Sequence, residues 1–312
     1  MTTAPPVPVL ADPRRRTLAS GDLQAVLLPS HGMLCASLRH RGVELLRRVA
    51  DLDGAAARGG TAGIPLLHPW ANRLSGLRYR AAGREVLLER GSPLLHLDER
   101  GQPIHGVPWA RLRWDVRKAE ADRMTARLAW DRDELLAVFP FPHRLDLDVS
   151  VEGDAMTWAV VLTAGNAGPV PVSFGFHPYL GLPGEPREGW RLATPALRRL
   201  AVDPRGIPTG ASEEAAPLDA PLASRALDDG FALEGLPATF ALSDGALRIE
   251  VEFLEGFTHA QLFAPPGESF VAIEPMTAPT AALSSGQALR VVEPGETFRA
   301  SFRIRVSDRT SS

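Results

Sequence analysis

The sequence predicts an all-β protein, a large antiparallel β-sandwich with few short helices. Three observations predict it. Long runs alternate apolar and polar residues with period two. Turn signals punctuate those runs, and 28 glycines and 28 prolines supply many tight turns. Helical periodicity is scarce, and the best candidate, Asp131 to Val138, is barely two turns.

Residues 1–16 are Pro-rich and then basic, and read as a flexible N-terminal arm. They contain no apolar run of the kind a signal peptide needs. Residues 17–308 read as a single β-sandwich domain, with no internal repeat and no linker. Leu112, Trp114 and Val116 form a brief alternating run. Leu145, Leu147, Val149 and Val151 form a longer one, as do Leu247, Ile249, Val251 and Phe253. Phe298, Ala300, Phe302, Ile304 and Val306 form the last. Each reads as a strand with one wet and one buried face. Met156 to Thr163 is more continuously apolar, as a strand covered on both sides would be. The region from Gly181 to Ala226 is rich in Pro, Gly and Ala and carries little pattern. It predicts long connections with one or two short strands. So many strands in one sheet would curl or split, so two sheets packed face to face are expected. A functional site in such a fold usually lies on a concave sheet face.

Composition narrows the function. The chain has 312 residues, 45% hydrophobic and 23% charged, as in soluble globular proteins. A net charge of -3 offers no basic patch for nucleic acid. No run approaches the roughly 20 apolar residues of a membrane helix. Lys118 is the only lysine and lies in a polar run, read as a solvated strand end. That leaves no lysine for a Gly-Lys phosphate loop or a Schiff base. Cys35 is the only cysteine, so no intrachain disulfide forms, which fits a reducing, cytoplasmic location. Its neighbours Met33, Leu34 and Ala36 make it a small buried hydrophobe rather than a nucleophile. No His-Glu-x-x-His, Gly-x-Ser-x-Gly or Gly-x-Gly-x-x-Gly motif is present, and the histidines never cluster at metal-ligand spacing. No metal and no cofactor are expected.

Two stretches carry the candidate chemistry. Ser173-Phe174-Gly175-Phe176-His177-Pro178-Tyr179 sets a histidine in an aromatic, strand-like run. Phe270-Val271-Ala272-Ile273-Glu274-Pro275 sets a carboxylate at the end of an apolar run. In each, the following proline holds the residue in extended backbone. A carboxylate in that setting is partly buried, which is costly unless it is paired or used. Further polar residues stand in apolar or Pro-rich settings: Asn72 and Arg73 after His68-Pro69-Trp70, His105 before Gly106, Asp228 before Phe231, and Gln261. The Arg73 guanidinium offers a planar fork of donors to hydroxyls or an anion. Each has a plain alternative: a structural strand histidine, a turn cap at Asn72-Arg73, or a solvated turn at Asp228-Asp229. His31, His40, His96 and His143 have polar or basic neighbours and receive no role.

Taken together and in order, Asn72-Arg73, His105-Gly106, Phe176-His177-Pro178-Tyr179, Leu227-Asp228 with Phe231, Gln261 and Glu274-Pro275-Met276-Thr277 resemble the aldose 1-epimerase (galactose mutarotase) family. The resemblance runs from about Leu23 to Val306. It implies a galactose mutarotase-like supersandwich, with His177 as general acid and Glu274 as general base. It implies sugar contacts from Asn72, Arg73, His105, Asp228 and Gln261. The implied partner is a small sugar, with neither nucleic acid nor membrane involved, and the implied assembly is a monomer or weak homodimer. Leu180 stands where the family often has Phe, and His68-Pro69-Trp70 replaces a common Gly-Arg segment. These departures point to a divergent branch.

The residue types suit the chemistry. A base takes the C1 hydroxyl proton while an acid protonates the ring oxygen, and the opened sugar recloses on its other face. A carboxylate and an imidazole can exchange protons near neutral pH. Trp70, Trp109, Phe176 and Tyr179 are candidate platforms for the sugar's apolar face. Three further readings stay open. One is a hexose-6-phosphate 1-epimerase holding phosphate with Arg78, Arg80 and Arg84. Another is a non-catalytic carbohydrate-binding or sensing protein, and the last is a metal-dependent β-barrel enzyme with its ligands drawn from distant parts of the chain. The leading reading requires His177 and Glu274 to face one cavity from opposite sides, with Arg73 and His105 lining it.

Overall fold

The computed structural model describes residues 15–49, 51–57 and 60–309. Of the predicted N-terminal arm, residues 1–14 lie outside the described residues, and Arg16 opens the first strand, Arg16–Ser20. Among the described residues strands dominate, and the α-helices are three short ones: Leu52–Ala57, Asp133–Val138 and Ala282–Ser285. The second falls inside the predicted Asp131 to Val138 segment.

Two large antiparallel sheets form the body. The nine-stranded sheet runs Leu218–Pro221, Arg191–Thr194, Ala238–Ser243, Leu247–Glu255, Thr297–Asp308, Ala155–Ala164, His143–Glu152, Arg123–Trp130, Asp115–Ala119. The eight-stranded sheet runs Pro208–Ala215, Leu197–Val202, Leu227–Leu233, His259–Ala264, Val271–Met276, Gly175–Phe176, Leu66–Leu67. Its eighth strand, Tyr179–Leu180, pairs with Val271–Met276. A four-stranded sheet, from Arg16–Ser20 to Val43–Glu44, completes the larger elements.

The alternating runs bury their apolar face. Leu145, Leu147, Val149 and Val151 are buried, as are Ile249, Val251, Phe253, Ala300, Phe302, Ile304 and Val306. Ala155–Ala164 buries one face and half-buries the other, so the more continuous apolar run is an inner strand of the sheet. Phe176 from the eight-stranded sheet meets Trp158 and Phe302 of the nine-stranded sheet, with ring centroids 5.3 and 5.1 Å apart. Phe257 touches both Phe176 and Phe302. Such aromatic pairs add about 0.5–1.5 kcal/mol each beyond the area they bury. This cluster is part of the continuous core between the two sheets.

The region Gly181–Ala226 differs from expectation. It holds four strands, Arg191–Thr194, Leu197–Val202, Pro208–Ala215 and Leu218–Pro221. Pro208–Ala215 and Leu218–Pro221 are edge strands, and neither buries a residue. A strand wet on both faces pairs through its backbone and needs no apolar alternation, so periodicity cannot reveal it. Cys35 is fully buried, with its thiol pushed up by burial, and Lys118 is exposed in Asp115–Ala119. Among the described residues no helix is long and apolar enough to cross a membrane.

Candidate active site

The strand register brings the two principal residues together. Gly175 pairs with Met276, and Tyr179 pairs with Ala272, on the same strand Val271–Met276. The two pairs share one antiparallel register, which sets His177 directly opposite Glu274. On the next strand Gln261 is the register partner of Glu274, and Gly230 is the partner of Gln261. His177, Glu274 and Gln261 thus form a row across adjacent strands. Phe176 points to the other sheet, so alternation turns His177 to the outer face. Asp228, two residues before Gly230, shares that face. Gly175 makes the close approach possible: a Cβ there would lie 2.6 Å from the Pro275 carbonyl oxygen.

Two loops close over this row. Isolated bridges join His68 to Gly106 and Arg73 to Ile104. Asn72 and His105 both adopt left-handed backbone, with φ of 55° and 62°. Such backbone costs about 1–3 kcal/mol per residue and persists where the surroundings hold it. Here the His105 N–H donates to the Asn72 carbonyl at 2.9 Å, and Asn72 Oδ1 accepts the Arg73 N–H at 2.8 Å. Arg73 Nε donates to Asp98 Oδ2 at 2.7 Å, and the Asp98 carboxylate also accepts the Arg100 and Gln102 N–H groups. Burial alone would raise Asp98, but Arg73 and those backbone donors outweigh it and hold its carboxyl below the usual range. Gly106 has φ of 68°, and a Cβ there would lie 2.3 Å from the His68 carbonyl oxygen. Gly106→Ala is therefore expected to cost at least about 2 kcal/mol of stability. It is also expected to displace His105. Denaturant melts and the NMR resonances of the His105 ring in one preparation check both, and wild-type values in each would overturn this account.

One cavity of about 140 Å³ is lined by Asn72, Arg73, Ile104, His105, His177, Tyr179, Asp228, Gln261, Phe263 and Glu274. All seven residues singled out from the sequence lie in it. A second hollow, lined by Leu200, Val202 and Gly206 among others, shares Asn72, Arg73, Asp228 and Gln261 with it.

The relation between the principal pair differs from expectation. His177 and Glu274 line one cavity, as the leading reading requires, but they do not flank it from opposite sides. His177 Nε2 is 3.2 Å from Glu274 Oε1, so the version in which acid and base act separately across the sugar fails, and only a version in which they act as one contacting pair remains. The direct cross-strand register is the reason, since facing residues stand about 5 Å apart at Cβ. The pair is 4% and 2% exposed. Burial, then nearby His105 and Arg47, push the imidazole well below its ordinary value. Burial, then Asp228, push the Glu274 carboxyl well above its own, against a smaller pull from Arg73. Both directions favour uncharged groups although the contact has ion-pair geometry. They are reconciled by one shared proton: acid plus neutral imidazole, and carboxylate plus imidazolium, are tautomers of the same state.

The surroundings fix this pair. Tyr179 stacks on His177, with centroids 4.1 Å apart and planes 14° from parallel. The Tyr179 phenol is hydrogen-bonded to the Thr61 hydroxyl, and the Arg47 guanidinium lies over the Tyr179 ring. Gln261 Nε2 donates to Asp228 Oδ1 at 2.7 Å, which fixes both polar heads. Burial, Arg73 and His96 push His105 down to about 3, so its imidazole is neutral. Glu274 Oε2, His177 Nδ1 and His105 Nδ1 are buried without a hydrogen-bond partner among the described residues. Orphan polar atoms on side chains lining one cavity are what a polyhydroxylated ligand would satisfy.

Of the aromatic platforms expected, only Tyr179 lines the cavity. Trp70 is buried against Tyr79, Phe176 lies in the intersheet core, and Trp109 donates to the Gly60 carbonyl beside Leu28 and Leu34. Their size made them useful to the core first. Asp228 and Asp229 form no turn but lie in Leu227–Leu233, where Asp229 pairs with Arg199. Sequence reasoning missed Asp98, which orients Arg73 from 25 residues away; a lone turn aspartate gives no signal.

Comparisons with known proteins give the family and the fold. No curated protein matches the chain by sequence. The Slr1438 protein of Synechocystis sp. PCC 6803 is 26% identical, with a TM-score of 0.78, over 99% of this chain and 100% of that one. A galactose mutarotase-like protein from Clostridium acetobutylicum is 18% identical, with a TM-score of 0.79, over 94% and 95%. The GalM/aldose epimerase homologue from C. elegans is 18% identical, with a TM-score of 0.76, over 95% and 99%. The last two share the fold. The aldose 1-epimerase family model matches residues 15–305. With nearly the whole described chain inside that match, the chain belongs to the aldose 1-epimerase family.

Proposed function

We propose that the protein interconverts the α and β anomers of a free aldose by general acid–base ring opening. The observation that carries the reading is the His177–Glu274 pair, buried in contact at 3.2 Å on the wall of a cavity that Arg73, His105, Asp228 and Gln261 also line. Family membership supports a carbohydrate epimerase role.

The pair's single proton serves both halves of the reaction. In the carboxylate–imidazolium tautomer, Glu274 takes the proton of the C1 hydroxyl. The C1–O5 bond breaks, and O5 takes a proton from His177. The products are the open-chain aldehyde, protonated Glu274 and neutral His177. After rotation about C1–C2, the O5 hydroxyl attacks the other face of C1, and the two protons return. Burial favours the uncharged tautomer in the free protein. Sugar hydroxyls entering between Arg73, Asp228 and Gln261 would shift the balance by hydrogen-bonding the charged form. Tyr179 and the Gln261–Asp228 bond hold the participants, so little reorganisation is needed.

A free sugar fits better than a phosphorylated one. Arg78 is ion-paired with Glu85, Arg84 lies over Phe141, and neither they nor Arg80 lines the cavity. Arg73 is the cavity's one cation among the described residues and is engaged by Asp98, while Asp228 and Glu274 are acidic. Arg73 is the single charge-assisted contact, worth about 1.5–3 kcal/mol, that a phosphate would find there, and Asp228 and Glu274 oppose a second negative charge. The free aldose is therefore expected to exceed its 6-phosphate in kcat/KM by at least about tenfold. Saturation-transfer NMR on both compounds checks this, and equal or reversed values would replace the free sugar with the phosphate. Saturable binding with no acceleration for any aldose would make the protein a sugar sensor instead.

A further inference from the structure

We infer that Asp22, His40 and Asp154 form a divalent-cation site away from the sugar cavity, where three turns meet. Asp22 lies between strands Arg16–Ser20 and Leu23–Leu28, and His40 ends strand Leu34–His40. Asp154 lies in the turn between His143–Glu152 and Ala155–Ala164. One donor atom from each residue lies within 4.8 Å of the other two.

The histidine makes this more than an acidic cluster. Its side chain is only 3% exposed, and Nε2 is 3.6 Å from Asp154 Oδ1, beyond hydrogen-bonding distance. Neither ring nitrogen has a hydrogen bond among the described residues. The ring as a whole is buried, but its nitrogens are not among the fully buried polar atoms that lack a partner, so water reaches them. His40 thus holds a ring nitrogen in place, open to solvent, facing two carboxylates.

The donor set names the class of ion. One imidazole and two carboxylates suit Zn²⁺ or Mn²⁺, whereas calcium prefers oxygen alone. Ligands at about 2.0–2.2 Å require the donors to close in from their present separation. Asp22 and Asp154 are each about half exposed, so their carboxylates can rotate inward, with water completing the shell. Arg41 donates to Asp22 Oδ2 at 2.7 Å and is also ion-paired with Asp308. It competes for one Asp22 oxygen and steadies that side chain. The ion would tie the four-stranded sheet to the nine-stranded one, beside the existing bond from the Gly153 N–H to Ser20 Oγ.

The test uses the full chain after dialysis against EDTA, titrated with Zn²⁺ and separately with Mn²⁺ by calorimetry and thermal unfolding. One ion per chain is expected, with Tm rising by several degrees at saturation. Asp22→Asn and Asp154→Asn are each expected to weaken binding at least about tenfold. Both should keep the EDTA-treated Tm within about 2 °C of wild type. Sugar turnover in EDTA should be unchanged in both, which separates this site from the catalytic reading. No saturable one-to-one binding, or an equal Tm rise in Asp154→Asn, would leave His40 and Asp154 as an ordinary half-exposed ion pair and overturn the inference.

Discussion

Glu274→Gln is expected to lower the anomerisation rate constant by about 10²- to 10⁴-fold while leaving the protein folded. Glutamine keeps the size of the side chain and its reach toward His177 Nε2, but it cannot take the C1 hydroxyl proton. Folding should survive because the buried carboxyl already favours its uncharged form, which glutamine resembles. His177→Ala is expected to lose as much, since the ring oxygen then has no proton donor. The two residues share one proton, so the double variant should be little worse than the worse single variant. The pH profile follows from the same pair. Its acid limb lies below pH 6.5, because a second proton must enter a site where His177 is held down. Its alkaline limb lies above pH 4.5, because Glu274 is held up and retains the shared proton. Both limbs belong to the pair rather than to either residue. Polarimetry on mutarotating sugar reads all of this. Near-wild-type exchange in either single variant, or multiplicative losses in the double, would remove the pair from the chemistry.

The second large effect is acid unfolding, and it comes from histidines that do no chemistry. His143 Nδ1 lies 2.6 Å from the Phe141 carbonyl oxygen and must donate to it. Its Nε2 is therefore the acceptor facing His68 Nε2 at 2.9 Å, and His68 donates. That assignment leaves His68 Nδ1 as a bare acceptor, in keeping with its lack of a partner. A further proton on His143 would set two N–H groups against each other in a core of Trp130, Phe139 and Phe174. Burial holds His143 and His259 down at about 4. The unfolded chain takes protons on these groups below pH 6.5, while the folded protein does not until about pH 4. Stability is thus complete above pH 6.5 and falls as pH drops through that window. Each group contributes about 3 kcal/mol to the loss at the bottom of the window. Against a typical total of about 5–15 kcal/mol, two such groups together remove about 6 kcal/mol by about pH 4, a large fraction of the whole. Urea midpoints read by tryptophan fluorescence at pH 7 and at pH 4.5 test this, and equal midpoints would refute it.

The legibility of the fold followed from where each signal resides. The alternation in Leu145 to Val151 and in Phe298 to Val306 is local, and a strand with one buried face must carry it. The edge strands Pro208–Ala215 and Leu218–Pro221 carry none, because water covers both faces and their pairing partners lie elsewhere in the chain. For the site, the pre-proline setting of His177 and Glu274 marked them. A polar residue locked in extended backbone at the end of an apolar run is costly to keep without a use. Asp98 carried no such mark, since its value lies wholly in meeting Arg73.

By itself, then, the sequence determined the strand-rich class, most long strands, and the polar residues that apolar surroundings make expensive. The tertiary structure decided what those residues do to one another. Register set His177 opposite Glu274 and in contact with it, rather than across a space. Packing took Trp70, Trp109 and Phe176 into the interior and left Tyr179 on the histidine. Pairing engaged Arg78 and Arg84 elsewhere and left an acidic cavity. The physical reason is the same in each case. Alternation and backbone preference act between neighbours in the chain, whereas register, burial and charge pairing act between segments the sequence keeps far apart.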